Sequence, residues 1–281
     1  MSARDPIPTG LVYGMPNADY HRMPALSASG VKLLRRSPAH FYGQILDPLR
    51  PRSEPSPAMN AGTLAHCAIL EPDKMAERYI VKPDDVDMRT KAGKEWAASI
   101  PVGLDVVTED QWLTADRQAR AVRQLPEVGK LFDQGHAEVS GFWTDAKTGS
   151  ACKVRPDWVS PAGDGVLLLD VKTAKDASPQ AFPRAAFNFG YHLQAAWYSE
   201  GFMLASGLPV LGFVFVVVES DYPHQALAYV MDEGDMQAAR LECRRLLDLY
   251  ADCMASNKWP GYTSGVQILK LPAWATTPEE T

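Results

Sequence analysis

The residues best placed to do chemistry lie between positions 152 and 173, in the stretch CKVRPDWVSPAGDGVLLLDVKT. Side chains alternate faces along a strand, so Val166, Leu168, Asp170 and Lys172 share one face while Leu167, Leu169 and Val171 share the other. Asp170 and Lys172 are therefore neighbours at the end of a strongly apolar run. By the same alternation Arg155 and Asp157 share a face of a preceding strand, expected over 152–160, and a short turn through PAGDG brings Asp157 beside Asp170. Two carboxylates at a strand end suit a hard divalent cation such as Mg2+, with Mn2+ able to substitute, and the Val171 carbonyl between the polar residues can complete the coordination. A lysine beside such a site orients or deprotonates water and neutralises charge on a transferring phosphate. The chemistry indicated for Asp157, Asp170 and Lys172 is metal-assisted phosphodiester hydrolysis. An isolated D-x-K usually makes surface salt bridges. Polar residues that end a core-like strand, with R-P-D ahead of them, are harder to explain that way.

Periodicity gives the elements that must position these groups. Ser27 or Ser29 caps a helix through Val31, Leu33 and Leu34, whose other face shows Lys32, Arg35 and Arg36. Pro38 restarts a helix through Leu46. Residues 47–58 form a proline-rich loop, and a helix over about 60–70 carries His66 among packing residues. The stretch 83–109 is weakly patterned apart from a helix over 91–99; 110–124 reads as a polar-faced helix and 126–133 as a shorter one. Strands follow at 138–144, 152–160 and 166–173. A helical stretch over 178–205, broken or bent near Pro183 and Gly190, leads to strands over 210–218 and 225–231 and an amphipathic helix over 235–255. The order implies one α/β core with helical additions at its N-terminal side. The expected organisation is an irregular lead-in (1–25) and one domain (26–281), comprising a helical part (26–136), the catalytic core (137–232) and a C-terminal helix and tail (233–281).

Composition narrows the function. The 281 residues carry 28 Lys+Arg against 34 Asp+Glu, a formal net charge of −6, which argues against holding nucleic acid by bulk positive charge. The charge is uneven, with +3 over residues 1–60, −4 over 61–140 and −5 over 201–281. Cys67, Cys152, Cys243 and Cys253 show no C-x-x-C spacing, which excludes the usual zinc, redox-pair and iron–sulfur patterns. Phosphate-loop and dinucleotide motifs are missing too, so neither ATP nor a nucleotide cofactor is expected. No apolar run is long enough to span a bilayer and no signal peptide is visible, so the expected location is cytoplasmic, with no membrane partner.

R-P-D at 155–157 followed by D-V-K-T at 170–173 resembles the PD-(D/E)XK nuclease superfamily. The segments YHRMPALSASGVKLLRRSPAHF (20–41), AMNAGTLAHCAILEP (58–72) and YHLQAAWY (191–198) resemble one branch of it, the RecE-type exonuclease (exodeoxyribonuclease VIII-like) family of phage and prophage recombination enzymes. The resemblance covers about residues 20–200 and implies a central mixed sheet flanked by helices. It also implies that Asp157 and Asp170 bind metal, that Lys172 is the catalytic lysine, and that His66 is a ligand on a helix over the metals. Gln194 and Tyr198 match a Q-x-x-x-Y feature that lies near the scissile phosphate or the DNA backbone, on one helix face with Tyr191; Thr173 is grouped with these contacts. Glu138 matches an acidic position, and pairing with Arg155 is its other reading. Lys32, Arg35 and Arg36 are either a solvated helix face or phosphate contacts forming a basic track toward Lys172.

The implied activity is a Mg2+-dependent exonuclease that resects linear double-stranded DNA, 5′ to 3′, to leave 3′ single-stranded ends for recombination by strand annealing. Its implied setting is a bacterial host, with phage or prophage origin. Because no ATPase motif is present, processive digestion calls for a ring-shaped homo-oligomer, a trimer or tetramer, and a RecT-like single-strand annealing protein is the implied partner. The competing readings are an endonuclease or structure-specific nuclease on the same fold, and a non-catalytic DNA-binding module. The retained Asp157, Asp170 and Lys172 set argues against the last.

Overall fold

The computed structural model describes residues 6–51, 56–262 and 265–270, so part of the proline-rich loop and residues 271–281 of the C-terminal tail lie outside the described residues. The N-terminal elements are β1 (Gly10–Val12), α1 (Asn17–Arg22), α2 (Ala28–Arg36), α3 (Pro38–Phe41), α4 (Pro57–Leu70), α5 (Met75–Arg78), β2 (Tyr79–Val81), α6 (Lys91–Ser99), β3 (Asp105–Val107) and α7 (Glu109–Arg123). The sheet-forming half follows: β4 (His136–Ala137), β5 (Ser140–Thr144), β6 (Ala151–Val154), β7 (Trp158–Ala162), β8 (Gly165–Ala174), α8 (Phe182–Asn188), α9 (Tyr191–Ser206), β9 (Val210–Glu219), β10 (Ala226–Val230) and α10 (Glu233–Ser256).

The central sheet is mixed, in the order β10-β9-β8-β7-β4, with β8 and β9 parallel and the other pairings antiparallel. A second antiparallel sheet has the order β1-β5-β6. This is the mixed α/β architecture expected for a PD-(D/E)XK core. Alternation along β8 sorts the two faces. Leu168, Phe213, Phe215 and Val217 pack with Leu193 and Ala196 of α9 and Leu246 of α10, while Leu169, Val171, Val214 and Val216 pack with Ile69 of α4 and Val122 of α7. A strand buried on both faces reads as a near-continuous apolar run, which is what GVLLLDV and VLGFVFVVV are. Asp170 therefore interrupts a run that packing alone would fill with another apolar residue.

Several local expectations need correction. The strand expected over 152–160 is two strands, because Pro156 has no N–H for a ladder; β6 ends at Val154, β7 begins at Trp158, and they lie in different sheets. The strand expected over 138–144 is β5, which begins only at Ser140. Glu138 takes φ of 55° between β4 and β5, and the chain leaves the central sheet there. Pro183 sits in the first turn of α8 and starts that helix instead of bending one. Gly190, at φ 66°, makes the left-handed break between α8 and α9. The lead-in contains β1 and α1, and the weakly patterned region contributes α6, as expected, together with β3, which pairs in parallel with β2. The shorter helix over 126–133 is a 3₁₀ turn at Gly129–Phe132.

Helix α9 ties the two sheets together. Its Gly201 lies against Trp143 of β5, where an added Cβ would stand 2.4 Å from the indole ring. That close approach holds the N-terminal half of α9, with Gln194, over β8. Among the described residues no helix is long and apolar enough to cross a membrane.

Candidate active site

The β7–β8 hairpin places the two acidic residues. Trp158 pairs with Leu169, so Asp157, one residue earlier, stands level with Asp170 across the ladder. Asp157 Oδ2 accepts the Val171 N–H at 2.7 Å, which fixes the carboxylate at the strand end. Asp170 is fully buried, at 0% exposure. Its Oδ1 accepts a hydrogen bond from Gln194 Nε2 at 2.6 Å, while its Oδ2 meets the Lys172 ammonium as an ion pair. Lys32 of α2 donates to Gln194 Oε1 at 2.8 Å. The Lys172 and Lys32 ammonium groups lie 5.0 and 5.1 Å from the centre of the Tyr191 ring, so one aromatic ring serves two cations. A continuous set of contacts thus runs from Lys32 through Gln194 and Asp170 to Lys172.

Beside this set lies a tighter cluster. His66 Nδ1 of α4 is 3.6 Å from Asp157 Oδ2, and His66, Glu138 and Asp157 each offer a donor atom within 4.8 Å of the others. The left-handed turn at Glu138 makes this possible: its N–H donates to the Asp157 carbonyl at 3.0 Å, turning the side chain toward the carboxylate. Glu138 is therefore a corner residue between strands, where the sequence placed it on the first core strand. Its Oε2 accepts from Arg155 Nε at 2.5 Å, so both readings of Glu138, the acidic position and the arginine pair, describe the same side chain.

The electrostatics set this cluster apart. Burial, the neighbouring Asp170 and Glu138 together push the Asp157 carboxyl well above the usual carboxylate range, against the pull of Lys172 and the Val171 N–H. Burial raises Glu138 as well, in spite of Arg155. Burial first and Lys172 second bring His66 down to about 4, with Asp170 and the Val171 carbonyl opposing. The imidazole is therefore neutral at physiological pH, the form that can ligate a metal. Burial disfavours the Lys172 ammonium, but Asp170 and Asp157 outweigh it and hold its pKa above the ordinary value. Burial and the nearby Lys172 lower Lys32 to about 8.

The donor chemistry suits a divalent cation. Three crowded carboxylates, Glu138, Asp157 and Asp170, are met by two side-chain cations, Arg155 and Lys172, so a bound ion would supply the positive charge still missing. Asp170, buried and paired with Lys172, stands across the ladder from Asp157. The sequence assigned the ligands as His66, Asp157, Asp170 and the Val171 carbonyl, with Glu138 auxiliary. The structure draws Glu138 into the closest group and leaves Asp170 shared with Gln194 and Lys172.

The remaining candidates separate. Tyr198 is edge-on to Phe213 at 6.3 Å, its phenol held protonated by burial and by nearby Tyr20, Asp170 and Asp157. Thr173, Lys172 and Tyr191 line a cleft of about 770 Å³ closed by Ala61 and Gly62 of α4 and by Phe189. Of the three basic residues on α2, Lys32 joins the site. Arg35 turns to α10 and α8, pairing with Glu242 at 3.4 Å and donating to the Phe187 carbonyl at 3.2 Å. Arg36 donates to the Tyr262 hydroxyl at 3.3 Å. The expected basic track is thus interrupted after Lys32, since the turn of α2 points the two arginines elsewhere. Sequence reasoning gave no sign of the Lys32–Gln194 bond, which joins residues 162 positions apart.

Pro156-Asp157 and Asp170-Val171-Lys172 together spell a P-D and D-x-K pattern at one strand end. Residues 27–272 match a family described as a PDDEXK-like domain of unknown function (DUF3799). The chain belongs to this PDDEXK-like family. A solved structure from Eubacterium rectale described as a putative exonuclease is similar to this chain, with a TM-score of 0.55 and 14% identity over 93% of this chain and 96% of that one. At that identity the likeness bears on the fold alone, and it agrees with a PDDEXK-type nuclease core. An alkaline exonuclease from Laribacter hongkongensis overlaps with a TM-score of 0.28 and 14% identity, over 66% of this chain and 97% of that one, too loosely to inform the site. The comparison with curated proteins gives no match.

Proposed function

We propose that the chain is a Mg2+-dependent exodeoxyribonuclease that resects one strand of linear double-stranded DNA, 5′ to 3′, leaving 3′ single-stranded ends for recombination by strand annealing. The observation that carries this reading is the meeting of Asp157, Glu138, His66 and Asp170 with Lys172 at the end of a buried strand. His66, Glu138, Asp157 and the Val171 carbonyl would hold the ion, with Asp170 beside them. Bound there, Mg2+ would offset negative charge on the phosphodiester and lower the pKa of water.

The chain's own residues supply the rest. Lys172, held by Asp170 and facing Tyr191, offers N–H donors to a phosphate oxygen or to the attacking water. Gln194 locks the Asp170 carboxylate with one end of its amide and Lys32 with the other. Lys32 becomes a second cation for the DNA backbone, and as a contact to phosphate it carries no sequence information. The cleft lined by Thr173, Tyr191 and Phe189 admits the strand to Lys172.

Strand polarity, a trimeric or tetrameric ring around DNA and a RecT-like annealing partner are supported by the motif resemblance over residues 20–198. Digestion of linear duplex labelled at the 5′ or the 3′ end, beside covalently closed circular duplex, tests the substrate. The expected result is early loss of the 5′ label with the circle intact. Cutting of the closed circle would make the enzyme an endonuclease on the same fold.

A further inference from the structure

The lead-in ahead of α2 is fastened to the candidate metal site by a specific set of contacts. Tyr20 of α1 is only 5% exposed. Its ring lies near two cations, 4.7 Å from Nζ of Lys153 on β6 and 5.3 Å from Cζ of Arg155 just beyond it. Lys153, 4% exposed, donates to the Tyr20 carbonyl at 2.7 Å and to the Met23 carbonyl at 2.8 Å, which caps the end of α1. The chain then runs alongside β6, with the Leu26 N–H donating to the Ala151 carbonyl at 2.9 Å and the Lys153 N–H to the Leu26 carbonyl at 2.8 Å. Residues 20–26 are thereby held against the strand that leads into Arg155.

Arg155 sits between this strap and the metal cluster. Its Nε donates to Glu138 Oε2 at 2.5 Å and its NH1 to Ser140 Oγ at 3.4 Å, while its guanidinium stands over the Tyr20 ring. A guanidinium over an aromatic face loses freedom to swing and keeps its donor fork aimed in one direction. The fork is aimed at Glu138, a carboxylate whose left-handed backbone already commits it to the cluster with His66 and Asp157.

We propose that Tyr20 is a positioning residue for the metal centre, its ring holding Arg155 so that Glu138 is presented beside His66 and Asp157. The inference rests on reading that cluster as a metal site. Residues bonded directly to a metal ligand, as Arg155 is to Glu138, typically change metal affinity by about 10- to 100-fold, and Tyr20, acting through Arg155, is expected at the lower end of that range. Among the described residues the Tyr20 hydroxyl has no hydrogen-bond partner, so the ring carries the effect.

The test is calorimetric titration of the full chain with Mn2+, in a cycle of Tyr20→Leu, Glu138→Gln and the double variant, with Tyr20→Phe alongside. Tyr20→Leu should weaken Mn2+ binding about tenfold, Tyr20→Phe should retain wild-type affinity, and Tyr20→Leu should cost nothing further once Glu138 is Gln. Wild-type affinity in Tyr20→Leu, or an equal loss in both backgrounds, overturns the proposal. Should circular dichroism show Tyr20→Leu unfolded, Tyr20→Met takes its place in the same cycle under the same two outcomes. A wild-type chain that binds no Mn2+ defeats the metal site itself, whereas a wild-type chain that binds with an additive cycle defeats only the role of Tyr20.

Discussion

Two clusters of carboxylates and cations in this molecule resemble each other in composition and differ in how their charges are matched. Between the β5–β6 turn and α10, Arg244 bonds Asp145 at 2.7 Å and Asp248 at 2.6 Å, Lys147 bonds Asp248 at 2.7 Å, and Thr148 donates to Asp145 through both its N–H and its hydroxyl. Burial would raise Asp145, but these donors outweigh it, and both carboxyls end below the usual range. At the end of β8 the carboxylates crowd one another, and Asp157 and Glu138 end above it. In the first cluster each carboxylate is matched by cations and hydroxyl or amide donors, with only Arg244 Nε left without a hydrogen bond, and the cluster serves stability. In the second the carboxylates outnumber the cations that reach them, the imbalance on which the proposed metal site rests.

The comparison can be broken most directly at the second cluster. Lys172→Ala and Asp157→Asn should each lower DNA digestion by about a thousandfold or more. Asp157→Asn should melt at the same temperature as the wild type or higher, because it removes one of the crowded charges. A fall in melting temperature that matches the loss of activity would mean that Asp157 serves structure. Metal should stabilise only the intact site: Mn2+ at a hundred times its Kd should add about 2.7 kcal/mol to unfolding, seen as a rise in melting temperature for the wild type and none for Asp157→Asn.

The first cluster should behave in the opposite way. Arg244→Ala should cost about 1 kcal/mol of stability, since the group is partly exposed, and leave nuclease turnover unchanged. The smallest expected effect is on acid stability. Asp145 has a depressed folded-state pKa, so its contribution is present above the ordinary carboxylate pKa and is lost as pH falls through the folded value. Denaturation profiles below about pH 5 should therefore fall less steeply for Asp145→Asn than for the wild type.

Much of the site was legible because strand alternation is a strict rule. Asp170 and Lys172 on one face of an apolar strand, with Asp157 across a short hairpin, needed only period two and a turn. The corner at residues 154–158 was less legible. Pro156 forbids a continuous ladder, but whether the chain then stays in the same sheet depends on long-range packing. Glu138 was misplaced for a sharper reason: a left-handed backbone at a non-glycine residue costs local energy that only tertiary bonds repay, and no pattern in the sequence signals it. Three-residue strands such as β1, β2 and β3 are too short for a period to show. Lys32 and Tyr20 were visible only as a basic helix face and as part of a motif, because their partners Gln194 and Arg155 lie far along the chain.

The most direct test of the account is release of labelled nucleotide from linear duplex DNA by the wild type and by Asp157→Asn, each in Mg2+ and in EDTA. Release by the wild type in Mg2+ alone, with the variant inactive yet as thermally stable, is the expected result. Release that survives EDTA, or that Asp157→Asn leaves undiminished, would contradict the assignment of the β8 cluster as the metal-dependent active site.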